Sequence, residues 1–192
     1  MGIYDDVANT KFIKEHSGAE KIFYLGYSQG TVQMFYGLSH REEDFYKDNL
    51  YKFLAFAPCT IAPKDGPEEK WTDSLFKFPS IGVYNEYGPN WRESKKKIKT
   101  QLGSEALGVA SCGWCKPVGC NSEIHWWQNT YSGRFQEFAP NWMEGEREMP
   151  LIPLDSIDKV PISMLVGTRD LTCPKKQARW ARDVIGAAVT HY

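Results

Sequence analysis

Gly26-Tyr27-Ser28-Gln29-Gly30 stands directly behind the apolar run Ile22-Phe23-Tyr24-Leu25 and ahead of a helical pattern, and it constrains this chain more than any other stretch. An apolar run that breaks at glycine and resumes as a helix reads as a strand, a sharp turn and a helix. A serine at such a turn has a specific use: its hydroxyl is lifted clear of the backbone toward a base, at the cost of local strain. Gly26 and Gly30 permit the turn, since a side chain at either position is expected to collide with the neighbouring strand or helix. The pentapeptide alone recurs by chance. Its placement between strand and helix makes Ser28 the candidate nucleophile.

Composition sets limits around that feature. With 192 residues, 42% of them hydrophobic, the chain can bury one sizeable core, and a formal net charge of -1 argues against nucleic acid as a partner. No apolar run approaches the roughly 20 residues of a membrane span. The first residues, MGIYDDVANTKF, lack the basic and apolar regions of a signal peptide, so the chain as it stands reads as untargeted and its compartment is left open. Five cysteines leave at least one thiol without an intrachain partner. Seven tryptophans can fill a core or line a lipid-binding surface, and core or cap packing is the default for most of Trp71, Trp91, Trp114, Trp126, Trp127 and Trp142.

Along the chain, Tyr4, Val7, Ala8, Phe12 and Ile13 recur at helical spacing before Ser17-Gly18 ends the helix. The elbow strand follows, then a mostly apolar helix through Val32, Met34, Phe35, Tyr36 and Leu38. Residues Tyr51 to Pro58 read as a buried parallel strand closed by proline. The same pattern returns at Val160 to Gly167, followed by a helix from Pro174 to about Ile185 and the start of another strand at Ala187. This order predicts an α/β fold with a mostly parallel, doubly wound sheet, whose ligand site lies beyond the C-terminal strand ends. Residues 59–158 break the rhythm and read as an inserted cap, between a core segment with the elbow at 1–58 and a core segment with an acidic residue at 159–192. Lys95 to Lys99 reads as a solvated face of that cap.

Asp170 follows the Val160–Gly167 strand by three residues, at the sheet edge where Ser28 also lies. A carboxylate there can orient and charge-stabilise an imidazole, and the order serine then aspartate fits hydrolases of this architecture. A turn or helix-capping role is the structural alternative. Of the four histidines, His16 and His40 end helices, where imidazoles meet C-terminal carbonyls, and His125 precedes Asp170, the wrong order for a triad. His191 has the right order, yet it lies within the last strand, whereas the base belongs on the loop beyond that strand.

Five separated segments then carry a resemblance: Tyr4-Asp5 through Ile13; KIFYLGYSQGT; FLAFAP; His125-Trp126-Trp127-Gln128 with Ser132-Gly133-Arg134-Phe135-Gln136; and VPISMLVGTRDL. In this order they resemble the acid lipase family of gastric and lysosomal lipases, with the weakest likeness between residues 60 and 120. The resemblance implies an α/β-hydrolase core with an inserted cap and activity on triacylglycerol or sterol esters. It implies Ser28 as nucleophile, Asp170 as triad acid and the backbone N–H of Gln29 as one oxyanion donor, while His191 is a candidate base only by its order after Asp170. No cofactor or metal is implied; the partners are a lipid ester and a lipid surface touched through the cap, or, on the alternative reading of a lipase-derived non-catalytic subunit, a protein that completes the incomplete sheet. Family members are secreted or lysosomal. They also carry strands upstream of the elbow helix and a histidine several residues beyond His191, so against the family the chain reads as truncated at both ends. Cys112, Cys115, Cys120 and His125 have zinc-knuckle-like spacing, but the family cap holds a disulfide, and a pair among the three cysteines is the expected use.

Overall fold

The computed structural model of the chain describes residues 1–40, 43–61, 120–170 and 172–192. Cys112, Cys115, the lysine run at 95–99 and Trp71, Trp91 and Trp114 lie outside the described residues. The first helix, α1 (Asp5–Ser17), has Asp5 and Asp6 in its first turn and Lys14 and His16 in its last, which complements the helix dipole. Strand β1 (Ile22–Tyr27) leads through Ser28 into α2 (Gln29–Leu38). A helix that sequence patterning did not show, α3 (Glu43–Asn49), precedes β2 (Leu50–Phe56); it buries Tyr46, whose hydroxyl donates to the Gly2 carbonyl at 2.5 Å. Helix α4 (Cys120–Ser132) opens the stretch that returns to the core through β3 (Ile162–Leu165), α5 (Lys175–Ile185) and β4 (Val189–His191).

The four strands form one parallel sheet in the order β1-β2-β3-β4. The chain has the α/β arrangement of an α/β-hydrolase core. Its register sorts side chains by face, because alternate residues of a strand point to opposite sides. Tyr24, Gly26, Phe53, Ala55, Ile162 and Met164 fall on one face. Against it pack Met34, Phe35 and Leu38 of α2, all fully buried, with Ala181 and Ile185 of α5. Each such large side chain contributes roughly 1.5–3 kcal/mol by leaving water. Helix α1 sits on this face too, with Val7 against the core and Asp6 within hydrogen-bond distance of the Tyr24 hydroxyl.

The opposite face carries Phe23, Leu25 and Tyr27 of β1, and they stand open at 62%, 61% and 53% exposure. Leu54, Phe56 and Leu165 continue that face by register. Among the described residues, therefore, helices cover one side of a sheet that sequence patterning expects to be covered on both. Tyr4, just before α1, and Phe12 and Ile13 within it likewise point away from the core, and the buried positions of that helix are Asp6 and Thr10.

Residues 125–149 are organised by buried amides together with the apolar packing of Phe135, Ala139 and Trp142. Gln128 and Ala139 exchange two hydrogen bonds, Nε2–H to the Ala139 carbonyl at 2.8 Å and the Ala139 N–H to Oε1 at 3.0 Å. Fully buried Gln136 donates to the Arg147 carbonyl at 2.8 Å, accepts from Arg134 Nε at 2.9 Å, and receives His125 Nε2–H on its carbonyl at 2.7 Å. Burial holds the His125 imidazole below its ordinary pKa of 6.5, against the Gln136 carbonyl and Glu137, which raise it. As pH falls below about 6.5, the unfolded chain therefore binds this proton before the folded one does, and stability declines. A melting-temperature series from pH 7.5 to 5 should show that decline, and His125→Gln should flatten its His125-dependent part.

One covalent link closes the described fold. Cys59, just past β2, is joined by a disulfide to Cys173, just before α5, across a sequence separation of 114. Both are buried. Sequence reasoning looked for a pair among Cys112, Cys115 and Cys120, and the 59–173 pair is an addition to that expectation.

Candidate active site

The elbow has the geometry that its composition predicts. Ser28 adopts φ 51 and ψ -114, a conformation that L-residues with a Cβ rarely take, and it does so at the junction of β1 and α2. Hydrogen bonds hold it there. The Ser28 N–H donates to the Phe56 carbonyl at 3.0 Å, and its own carbonyl accepts from the Thr31 N–H at 2.9 Å and the Thr31 hydroxyl at 2.5 Å. Beneath the turn, the Tyr24 hydroxyl lies between the Gly30 carbonyl at 3.2 Å and the Asp6 carboxylate at 3.3 Å. Burial raises the pKa of Asp6, and burial, with Asp6 beside it, raises that of Tyr24. Gln29 is the first residue of α2, so its N–H faces out of the helix end without an intrahelical acceptor.

The two glycines are not equivalent. A Cβ on Gly26 would lie 2.8 Å from the Gly30 carbonyl oxygen and 2.9 Å from its carbon, both backbone atoms that cannot swing away. A Cβ on Gly30 would meet only the Tyr24 hydroxyl, at 4.0 Å. The collision expected at both positions is therefore found at Gly26, where strand and helix backbones cross. Gly26→Ala should cost roughly 2–3 kcal/mol through forced backbone shifts, while Gly30→Ala should be neutral or slightly stabilising, as alanine is in a helix. Chemical denaturation of the two variants checks this.

Asp170 comes to the same edge of the sheet. Parallel pairing carries on past the strand ends, for the Ala57 N–H donates to the Leu165 carbonyl at 2.9 Å just as Ser28 bonds to Phe56. Ala57 is the other non-glycine residue with positive φ, 46°, so both strained positions among the described residues lie along this one edge. Asp170 Oδ1 accepts from the Thr172 N–H at 3.0 Å and the Cys173 N–H at 2.8 Å. The turn role considered from sequence is thus realised by one carboxylate oxygen. An acid that orients an imidazole needs just such a fixed carboxylate, with its second oxygen presented to the partner.

The histidines sort themselves by their bonds. A ring nitrogen against a carbonyl must carry the proton and donate. His16 Nδ1 is 2.9 Å from the Phe12 carbonyl, and His40 Nδ1 is 2.7 Å from that of Tyr36, with His40 Nε2 3.1 Å from Glu137 Oε1. His125 is engaged by Gln136 as described. His191 sits in β4 opposite Ser163, which pairs with Leu54 and through it with Leu25. It is therefore level with a residue three positions before Ser28, about 10 Å short of the edge at strand rise. Its Nδ1 lies near Ser163 Oγ at 3.4 Å and Thr190 Oγ1 at 3.0 Å. A cleft of about 680 Å³ between Phe135, Leu151, Ile152, Trp180 and Val184 is lined by neither Ser28 nor Asp170.

No family model matches the chain. Mouse lipase member K is 26% identical over 210 residues, taking in 93% of this chain and 52% of its own length. A probable lipase of Schizosaccharomyces pombe is 25% identical over 201 residues, or 88% of this chain and 44% of its own. The chain is related to the lipases. Caenorhabditis elegans lipase lipl-5 adds a shorter match, 40% identical over 58 residues. This lipase relative spans about half the length of the curated relatives that it matches over most of its own. What sequence reasoning missed at the site is Thr31 and the Cys59–Cys173 link. Cys59 follows β2 and Cys173 precedes α5, and the spacing of five cysteines holds no signal for that pairing.

Proposed function

We propose that this chain carries the nucleophile and the acid of a serine ester hydrolase of lipase type, acting on acylglycerols or sterol esters through an acyl-enzyme. The observation that carries the reading is Ser28 at φ 51 on a strand-to-helix turn, because strain of this kind persists where a function holds it. On this reading Ser28 Oγ attacks the ester carbonyl, and the Gln29 N–H at the start of α2 stabilises the developing oxyanion. A histidine takes the proton and returns it to the leaving alcohol, Asp170 orients that imidazole, and water then releases the acid. The register of His191 weighs against it as the base, and on this reading the imidazole comes from outside the 192 residues or from their very end. Residues 59–158 serve as the cap and the face toward lipid. No helix among the described residues is long and apolar enough to cross a membrane, which fits access to lipid from the aqueous side.

Reaction of the native protein with a serine-directed fluorophosphonate, followed by peptide mapping, tests the reading. The label is expected on the peptide containing Ser28, and hydrolysis of acylglycerol and sterol-ester panels then sorts the substrate. A second reading is favoured by the open sheet face at Phe23, Leu25 and Tyr27: a lipase-derived subunit without catalysis, whose sheet a partner completes along β1. An unlabelled Ser28 in folded protein, with another polypeptide copurifying at fixed stoichiometry, would support that reading over the first.

A further inference from the structure

Ser28 and Asp170 lie on loops 142 positions apart in sequence, yet a short series of bonds runs from one to the other. The Ser28 carbonyl accepts the Thr31 hydroxyl proton at 2.5 Å. The oxygen of that hydroxyl, fully buried, accepts the Cys59 N–H at 3.0 Å. Cys59 is bonded through sulfur to Cys173, and the Cys173 N–H donates to Asp170 Oδ1 at 2.8 Å. Every link is buried or half-buried, so water does not compete freely for these bonds. We infer that Thr31 and the Cys59–Cys173 disulfide form a clamp that sets the acid loop against the nucleophile turn, so that reactivity at Ser28 depends on the oxidised state of this pair.

This inference rests on the hydrolase reading for its effect on catalysis, but the clamp itself is a mechanical claim. A loop that holds a triad acid needs placement within a fraction of an ångström, and a displacement of 1 Å can cost about a hundredfold in rate. Pairing of β2 with β3 fixes the strands, but its last bond, from the Ala57 N–H to the Leu165 carbonyl, lies five residues before Asp170. Beyond that point the disulfide is the covalent tie between the two loops. A dithiol such as dithiothreitol can open it: the Sγ–Sγ bond breaks, two thiols form with two electrons and two protons from the reagent, and the reagent closes to its cyclic disulfide. Thr31, Cys59 and Cys173 are positioning residues in this scheme, and none of them touches substrate.

The links act in series, which gives the clamp a signature that general stabilisation lacks. Breaking it at the disulfide (Cys59→Ser with Cys173→Ser, or dithiothreitol) or at the elbow (Thr31→Val, disulfide intact) should each slow fluorophosphonate labelling of Ser28 in the native protein by about ten- to a hundredfold. Doing both should cost little more than either alone, because a series broken once is already open. Thr31→Ser, which keeps the hydroxyl, should restore labelling to within about twofold. Amide hydrogen exchange supplies a readout independent of reactivity. Thr31→Val should speed exchange of the Cys173 amide, on the far side of the disulfide, at least about tenfold while amides in β1 and β2 hold their protection. Additive losses in the double break, or a Cys173 amide indifferent to Thr31→Val, would overturn the clamp. If Ser28 fails to label even in oxidised protein, the hydrolase reading falls, and the exchange experiment still decides the clamp by itself.

Discussion

Replacing Ser28 by alanine should abolish fluorophosphonate labelling and lower ester hydrolysis by a factor on the order of 10⁴–10⁶ in the native protein, with no loss of fold. The size of the effect follows from covalent catalysis: without Oγ no acyl-enzyme forms, and what survives is the modest help of the oxyanion donors and substrate binding. Strain at the turn supplies a control. Because Ser28 is held at φ 51, alanine inherits the same unfavourable backbone, whereas glycine has no Cβ and relaxes into it. Ser28→Gly should therefore be as inert as Ser28→Ala yet more stable than the parent by about 1–2 kcal/mol. Activity that survived in Ser28→Ala would remove the serine mechanism. Equal stability of the glycine and alanine variants would remove the claim that the turn stores strain for function.

That turn was legible in the sequence because local chemistry dictates it. An apolar run, a glycine that must let two backbones cross, and a helix behind it leave few alternatives, and β1 and α2 begin and end within two residues of where the pattern places them. The strands of Phe53, Ile162 and Val189 were legible for the same reason. Side-chain orientation was less so. The apolar spacing of Tyr4, Phe12 and Ile13 suggests an inward stripe, but tertiary contacts won: Asp6 is drawn in by the Tyr24 hydroxyl, and Lys14 by Asn49 Oδ1 at 2.5 Å. Helix α3 escaped notice because seven residues with two aromatics among five polar residues carry too little periodicity. The 59–173 pairing escaped for a different reason, since connectivity among five cysteines is set by loops meeting in space and leaves no mark in spacing.

Asp170→Asn provides the sharper test, because two roles for this residue make opposite forecasts. As a turn residue, Asp170 uses Oδ1 to accept the N–H groups of Thr172 and Cys173, and an asparagine keeps a carbonyl oxygen in that place. Stability should then change by less than about 0.5 kcal/mol, whereas Asp170→Ala, which leaves both N–H groups without this acceptor, should cost about 1–2 kcal/mol. As a triad acid, Asp170 must also accept a proton-bearing imidazole nitrogen on its other oxygen and stabilise the imidazolium. The amide group of asparagine presents a donor there, fixes the wrong tautomer and removes the negative charge, a loss on the order of 10⁴ in kcat. Thermal melts and hydrolysis rates of the native protein and both variants separate the cases. A stable Asp170→Asn with its rate collapsed assigns the residue to the triad, and a stable, fully active one leaves it a turn residue. In the second event the acid must come from elsewhere on the edge that Ser28 shares, and the clamp through Cys173 would position a loop without chemistry.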